Sequence, residues 1–560
     1  MSREPTVDRR SVLKAAGGAA ATMAVAGCLG GDSDDGENSG GPLVYGRGAD
    51  SATLDPQATS SGEDAKVINQ VYDRLVHFEA GESTLVSGLA EDYGLEETTT
   101  TLTLREGVTF SNGDELTAED FIATYRRFVD EEYDYFIGTG DEEDDEDGAT
   151  QSFYGPYLFG PVESVEATGD YELEIELEKR YAPFLRSLAV FAMAVLPKSE
   201  IENDHDFGTD PIGTGPFTFD TWETGNQRIR LSPNEEYWGE TPKVDELVFE
   251  AIGENSSRAQ ALGNGEVDII DGVGAAQSEV IEGYDNAALE RTPGMTIGYM
   301  AFNMDRVEEF RDRRVRQAIS HAIDTQAIVE NIYRGLAIQA SQPLPPTVMG
   351  HDEDLDPYEY DPDRAQELLA EADLGDGFSF ELATMTNPRP YFASPVQTAE
   401  TVRSNLDEVG IDVEINEQST WDAYLDYTAE GKHDACFLGW ISDNADPDNF
   451  YSPLLHPGVA VEDVPDGQDW VSFDAEEYND GSRSAWANTE FMELVEEAQQ
   501  TYDEGEREEM YLETAEIVHE EAPWVFMTHT EELRGVHERV DGYVIEAIGG
   551  PFLNLVELGE

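Results

Sequence analysis

The sequence predicts an α/β fold of at least two domains. Three observations carry this. At 560 residues the chain exceeds what one hydrophobic core organises. Its 39% hydrophobic and 10% aromatic content is that of a folded chain rather than a disordered one. Between Phe378 and Leu455 the apolar pattern reads strand, helix, strand, helix, strand, an order that implies a parallel sheet with right-handed crossovers.

From Asp8 the chain reads DRRSVLKAAGGAAATMAVAGCLGG. Arg9 and Arg10, with Leu13 and Lys14, form a positive leader, and Ala15 to Gly27 is a small-residue apolar stretch too short to span a bilayer comfortably. The pattern resembles a twin-arginine export signal, and Val25-Ala26-Gly27-Cys28 resembles a lipobox whose thiol is lipidated. Residues 1–28 are therefore expected to be a signal peptide and 29–42, rich in Gly, Ser and Asp, a flexible tether. The working body then starts at Leu43, outside the cytoplasmic membrane. No later segment is long and apolar enough to cross a membrane.

Within the body, TAEDFIATYRRFVDEE predicts an amphipathic helix with a Thr117–Asp120 capping box and Phe121, Tyr125 and Phe128 on one face. DELVFEAI (245–252) predicts a strand. DRRVRQAISHAID repeats the helical period through Val315, Ala318, Ile319, Ala322 and Ile323. DPDRAQELLAEADLG starts a helix at Pro362 and ends it at Gly375, with Ala365, Leu368 and Leu369 as its stripe. FSFELAT is the next strand, followed by a helix over 395–409 and the strand IDVEI (411–415). Ser419 then caps a helix carrying Trp421, Tyr424 and Leu425, and HDACFLGW (433–440) is a third strand, apolar on both faces. Ligands in such sheets bind outside the carboxyl ends of the strands. TNPRPY leaves the first strand there and WISDNADPDNF the third, so Arg389 and Asp443 are placed to face one cleft.

The charge excludes some partners. With 120 Asp and Glu against 33 Lys and Arg, the net charge is −87. The acids are scattered, and lysine survives only at six positions: 14, 66, 179, 198, 243 and 432. This is the signature of adaptation to molar salt, where the Debye length falls to ~3 Å and self-repulsion is screened. Nucleic acid, which needs basic patches, is excluded as a partner. Cys436 sits in an apolar run as a buried free thiol, and with Cys28 otherwise explained no disulfide framework arises. The acidic run over 138–150 lacks the alternating ligands and terminal Glu of a calcium loop and reads as a solvated insertion. No phosphate loop, HExxH pair or GxSxG elbow is present, and the nine histidines are scattered without metal-ligand spacing. No cofactor, metal or catalytic residue is expected, and a binder is favoured over an enzyme.

LAEDYG with LTLREGVTFSNGDELTAEDFIATYRRF, PIGTGPFTFDTW, NEEYWGETPKVDELVF, GEVDII, FRDRRVRQAISHAID and YDPDRAQELLAEA follow one another in an order that resembles extracellular solute-binding protein family 5, across essentially the whole body. PLPPTVMG, GFSFELATMTNPRPY and GWISDNADPDNF look closest to its dipeptide-binding branch. The resemblance implies an α/β, two-lobed periplasmic-binding-protein-like fold with mixed sheets flanked by helices and an extra N-lobe subdomain. Lobe I would comprise 43–295 plus 528–560 and lobe II 296–527, the chain crossing near 296–303 and returning near 523–530. It implies a monomeric, lipid-anchored receptor that encloses a peptide ligand at the hinge and presents it to the permease of an ATP-binding-cassette importer with cytoplasmic ATPase subunits. By the same resemblance Asp443 pairs the peptide α-amino group and Arg389 pairs its carboxylate, while Trp440, and more weakly Tyr391, read either as apolar wall for the ligand or as core aromatics closing the strand. Asp50 is a weaker candidate, while Asp446 and Asp448 build the turn. Sister branches take nickel chelates, oligosaccharides or longer peptides on the same fold, and an exported lipoprotein peptidase is the alternative from another class.

Overall fold

The computed structural model describes residues 41–138, 154–418, 420–546 and 548–559. Arg9, Arg10 and Cys28, and residues 139–150 of the acidic run, lie outside the described residues. Within them, strands buried on one or both faces build one mixed sheet of twelve strands. These are β1 (Leu43–Arg47), β2 (Phe217–Glu223), β3 (Arg228–Pro233), β4 (Leu247–Ala251), β5 (Ile269–Ile270), β6 (Ala287–Pro293), β7 (Thr296–Phe302), β8 (Ala337–Gln339), β9 (Ser379–Met385), β10 (Asp412–Gln418), β11 (Ala435–Ile441) and β12 (Trp524–His537). Their order is β10-β9-β11-β7-β12-β5-β1-β4-β3-β2, with β6 and β8 pairing β12 off that path.

The expected parallel unit is present. β9 pairs both β10 and β11 in parallel, with Phe380 opposite Val413 and Ala383 opposite Cys436. The helices between them are α4 (Pro395–Glu408) and α5 (Trp421–Ala429), and earlier ones are α1 (Ala118–Val129), α2 (Arg313–Ala322) and α3 (Pro362–Glu371). Two boundaries differ from expectation. Helix α3 stops at Glu371, before Gly375, because Asp373 takes the left-handed conformation at φ 60°, which Asp tolerates better than most residues. Thr420 caps α5, its hydroxyl accepting from Ala423 N–H; Ser419, the expected cap, lies outside the described residues. The Thr117–Asp120 capping box forms as the sequence indicates.

Fourteen-residue β12 runs through the whole middle of the sheet. Its first residues pair β7, with Ala301 opposite Trp524, and its last pair β6, with Ala287 opposite His537. Between β6 and β7 the chain bends at Gly294, where a Cβ would lie 2.7 Å from the Thr530 carbonyl oxygen. Only glycine permits that approach. Beside it the Thr296 and Thr530 hydroxyls are 2.7 Å apart, and Thr530 N–H donates to Thr296 Oγ1 at 2.9 Å. Two adjacent antiparallel runs, 293–296 and 530–531, thus connect one part of the sheet to the other.

The core is divided. One cluster packs Tyr45, Val67, Phe217 and Phe249 around β1 to β4. A larger one packs Ile297, Tyr299, Phe302, Val315, Leu368, Val402, Phe437 and Trp524 around β7, β9 and β11. A separate antiparallel sheet of four strands within 90–177 belongs to this second cluster through Leu102, Leu173 and Ile175. Tyr299 and Trp524 stack at 3.7 Å in its centre. Cys436 is buried and free. No described helix is long and apolar enough to cross a membrane.

Candidate ligand-binding site

Because β9 and β11 are parallel neighbours, the loops that follow them leave from one edge. The β11 loop is fixed by its own side chains. Ala445 N–H donates to Ser442 Oγ at 2.9 Å, Asp446 N–H to Asn444 Oδ1 at 3.0 Å, and Asp448 N–H to Asp446 Oδ1 at 2.9 Å. Such bonds let short polar side chains stand in for backbone turns. Ala445 itself is left-handed at φ 54°, a strained conformation that only a well-determined turn sustains. Asp446 and Asp448 therefore build the turn as expected, but Asp446 does more. It is fully buried and receives both Arg507 terminal nitrogens, at 2.8 and 2.6 Å.

Asp443 stands apart from these two. Its carboxylate accepts from the Tyr154 hydroxyl at 3.1 Å, and no described Lys or Arg pairs with it. Burial pushes its pKa up to about 6, against which the Tyr154 bond works. A carboxylate so placed favours a cation. Asn449 ties it to Trp440: its side-chain oxygen accepts from Trp440 Nε1 at 2.9 Å and from Asp443 N–H at 3.3 Å. Tyr154 in turn packs edge-on to Phe191 at 5.6 Å. Tyr154 and Asn449 escape sequence reasoning, since Tyr154 meets Asp443 across 289 residues and no local pattern marks it.

Arg389 lies in a small hairpin after β9, where Arg389 and Phe392 exchange backbone hydrogen bonds. Its guanidinium lies 3.6 Å from the centre of the Trp421 ring, at the start of α5. Its Nε is buried without a hydrogen-bond partner, and no described carboxylate pairs with it. In a chain of 120 acids that isolation is informative. Tyr391 fills a trough made by two glycines: Gly298 of β7 is opposite Gly439 of β11, and directly opposed residues share a face. A Cβ on Gly439 would meet the Tyr391 ring at 2.3 Å. Trp440, the next residue, points to the other face. The four expected residues thus form two groups at one edge, Asp443 with Trp440 and Arg389 with Tyr391. Asp50 is committed elsewhere, bonded by Arg47 and by Trp222 Nε1 at 3.1 and 3.0 Å.

The glycine trough makes a prediction. Gly439→Ala must displace the Tyr391 ring or the Ile297 carbonyl, 2.5 Å from the new carbon. Overpacking of this kind costs about 1–3 kcal/mol, so a lowered melting temperature is expected. An unchanged one would mean that the hairpin does not rest in the trough.

The sequence profile described as bacterial extracellular solute-binding proteins, family 5 middle, matches residues 84–461. The "Dipeptide-binding protein" of Escherichia coli (strain K12) is 30% identical over 523 residues, spanning 90% of this chain and 92% of that protein. The "Heme-binding protein A" of Haemophilus influenzae is 30% identical over 498 residues, spanning 86% and 85%. Among solved structures, the dipeptide binding protein from Pseudoalteromonas sp. SM9913 in complex with Met-Leu superposes with a TM-score of 0.71 at 27% identity, covering 92% of this chain and all of that one.

Proposed function

Since the chain belongs to the extracellular solute-binding proteins of family 5, we propose that it captures dipeptides or short oligopeptides by hinge closure and delivers them to the permease of an ATP-binding-cassette importer. The observation that carries this is the pair of charges unmatched among the described residues, Arg389 without a carboxylate and Asp443 without a cation, at one sheet edge. A zwitterionic peptide supplies both partners, and its charges need replacement for the hydration lost on enclosure. Haem, which the Haemophilus influenzae relative is named for, carries carboxylates but no ammonium and would leave Asp443 unmatched.

In this reading the chain binds stoichiometrically, without a cofactor and without turnover. It works as a monomer with lobe I at 43–295 plus 528–560 and lobe II at 296–527. The leader, through Arg9, Arg10 and the lipidated Cys28, places it on the outer face of the cell membrane by the twin-arginine route.

Binding should depend on pH through Asp443. In the free protein the acid keeps its proton up to about pH 6, against 3.8 for an ordinary Asp. Its contribution to stability therefore falls as pH rises from 3.8 to 6, because the native state holds the extra proton. An ammonium favours the charged form, so the bound pKa is lower and binding releases the proton. Affinity for Met-Leu is then full above pH 6 and weakens below it by up to about tenfold per unit. Calorimetric titration in molar salt measures this. Asp443→Asn should abolish the dependence along with most of the affinity; a wild-type affinity flat from pH 5 to 7 would remove Asp443 from the site.

A further inference from the structure

The three aspartates of the β11 turn share a property that the turn itself does not require. Each meets a residue of the 154–186 segment, from the part of the chain before β7. Asp443 accepts from Tyr154 at 3.1 Å, Asp446 lies 3.7 Å from Arg186 Nε, and Asp448 accepts from the Tyr181 hydroxyl at 3.1 Å. We infer that this turn is a closure latch, in which Arg186 and Tyr181 seat on Asp446 and Asp448 whenever the cleft is shut, with or without a ligand at Asp443. It rests on the reading of the chain as a receptor that closes on its ligand.

The turn is built to couple the two ends. Its three internal Asx and Ser bonds fix Asp443 and Asp446 relative to each other, so the position that presents Asp443 to a ligand also presents Asp446 to Arg186. Asp446 does not depend on Arg186 for its charge. Arg507, on the same side of the cleft, already gives it two hydrogen bonds, and Arg186 adds a second cation only where the two sides meet. Arg186 is positioned independently, donating to the Ser83 carbonyl at 2.7 Å. The seam continues beyond it: Ala182 N–H donates to the Gln499 carbonyl at 2.6 Å, and the Arg180 guanidinium lies 4.4 Å from the Tyr502 ring centre. Gln499 also donates to Asp448 at 3.0 Å, which joins the seam to the turn.

Charge explains why cations are needed there. Bringing together two halves of a chain with a net charge of −87 is opposed by self-repulsion. In molar salt, with a Debye length of ~3 Å, only charges at contact still act. Arg186 is such a contact, set 3.7 Å from Asp446 on the face that closes. Arg186 is thus a positioning residue for ligand retention that touches no ligand itself. Losing one partner of an interfacial charge pair acts chiefly on the off-rate.

The test uses the full chain in molar salt, with Met-Leu as probe. Arg186→Ala should release the peptide about five- to tenfold faster, with the association rate and the melting temperature of the free protein unchanged because Asp446 keeps Arg507. Arg186→Lys should recover part of the loss. Tyr181→Phe should shift the off-rate in the same direction by less. An off-rate within twofold of wild type, or a loss of affinity accompanied by lower melting, would reduce Arg186 to packing and overturn the latch. If the wild type binds no Met-Leu, the peptide reading fails. Small-angle scattering of the free protein then decides the latch alone: a larger radius of gyration in Arg186→Ala supports it, and an identical one rejects it.

Discussion

Arg389→Ala is expected to remove measurable Met-Leu binding in molar salt. A guanidinium gives a carboxylate two parallel charge-assisted hydrogen bonds. Truncating one partner of an enclosed pair of this kind costs about 2–5 kcal/mol, a factor of roughly 30 to several thousand in affinity. The fold should not notice. Within the described residues the guanidinium rests on the Trp421 ring alone, a contact worth about 0.5–1 kcal/mol at an exposed site, so the melting temperature should hold. Arg389→Lys keeps the charge but loses the planar fork and the stack, and should fall between wild type and alanine. C-terminally amidated Met-Leu supplies the decisive control. Wild type should lose as much affinity for it as the alanine variant loses for the free acid, and the two losses should not add. Additive losses, or full-strength binding by Arg389→Ala, would place the carboxylate elsewhere.

What could be read from the sequence follows the range of each signal. The helix 118–129 and the strands 379–385 and 435–441 are recoverable because their periodicity and caps are local, and the parallel sheet follows from the order of those elements. The edge that carries Arg389 and Asp443 is legible for the same reason. Side-chain partners are not. Whether Arg389 is one more surface cation among acids depends on what surrounds it in space, and it proves to have no described carboxylate partner. The two glycines under Tyr391 come from strands more than a hundred residues apart, and each looks unremarkable until Gly298 is set opposite Gly439. The turn 442–449 shows the division most clearly. Its Asp-Pro-Asp text predicts the backbone bonds that form, while Arg507, Arg186, Tyr154 and Tyr181 arrive from other segments and give each aspartate a separate task.

Asp446→Ala should cause the largest loss of stability of any single change in this turn. The carboxylate is fully buried, and Arg507, 5% exposed, makes two of its hydrogen bonds to it. Burial alone would raise the Asp446 pKa, but Arg507, with Arg186 behind it, holds it below the ordinary 3.8. Deleting the anion leaves Arg507 buried without its counter-charge and Arg186 facing it at close range. Stranding one member of a buried pair costs about 3–5 kcal/mol. Molar salt gives little relief, because ions screen exposed charges and not a site without solvent. The variant should melt well below wild type, whereas Asp446→Asn combined with Arg507→Gln, which removes both charges while keeping polar partners, should recover much of the difference. The wild-type pair also sets an acid limit. A carboxylate whose folded pKa is depressed contributes stability above its unfolded value, and that contribution fades only as pH falls below 3.8 through the folded value. The melting temperature of wild type should therefore carry an Asp446-dependent decline confined to pH below about 4, absent from the double variant. An Asp446→Ala protein that melts with wild type would show that the buried pair is dispensable, and with it the rigid turn on which both the ligand site and the latch depend.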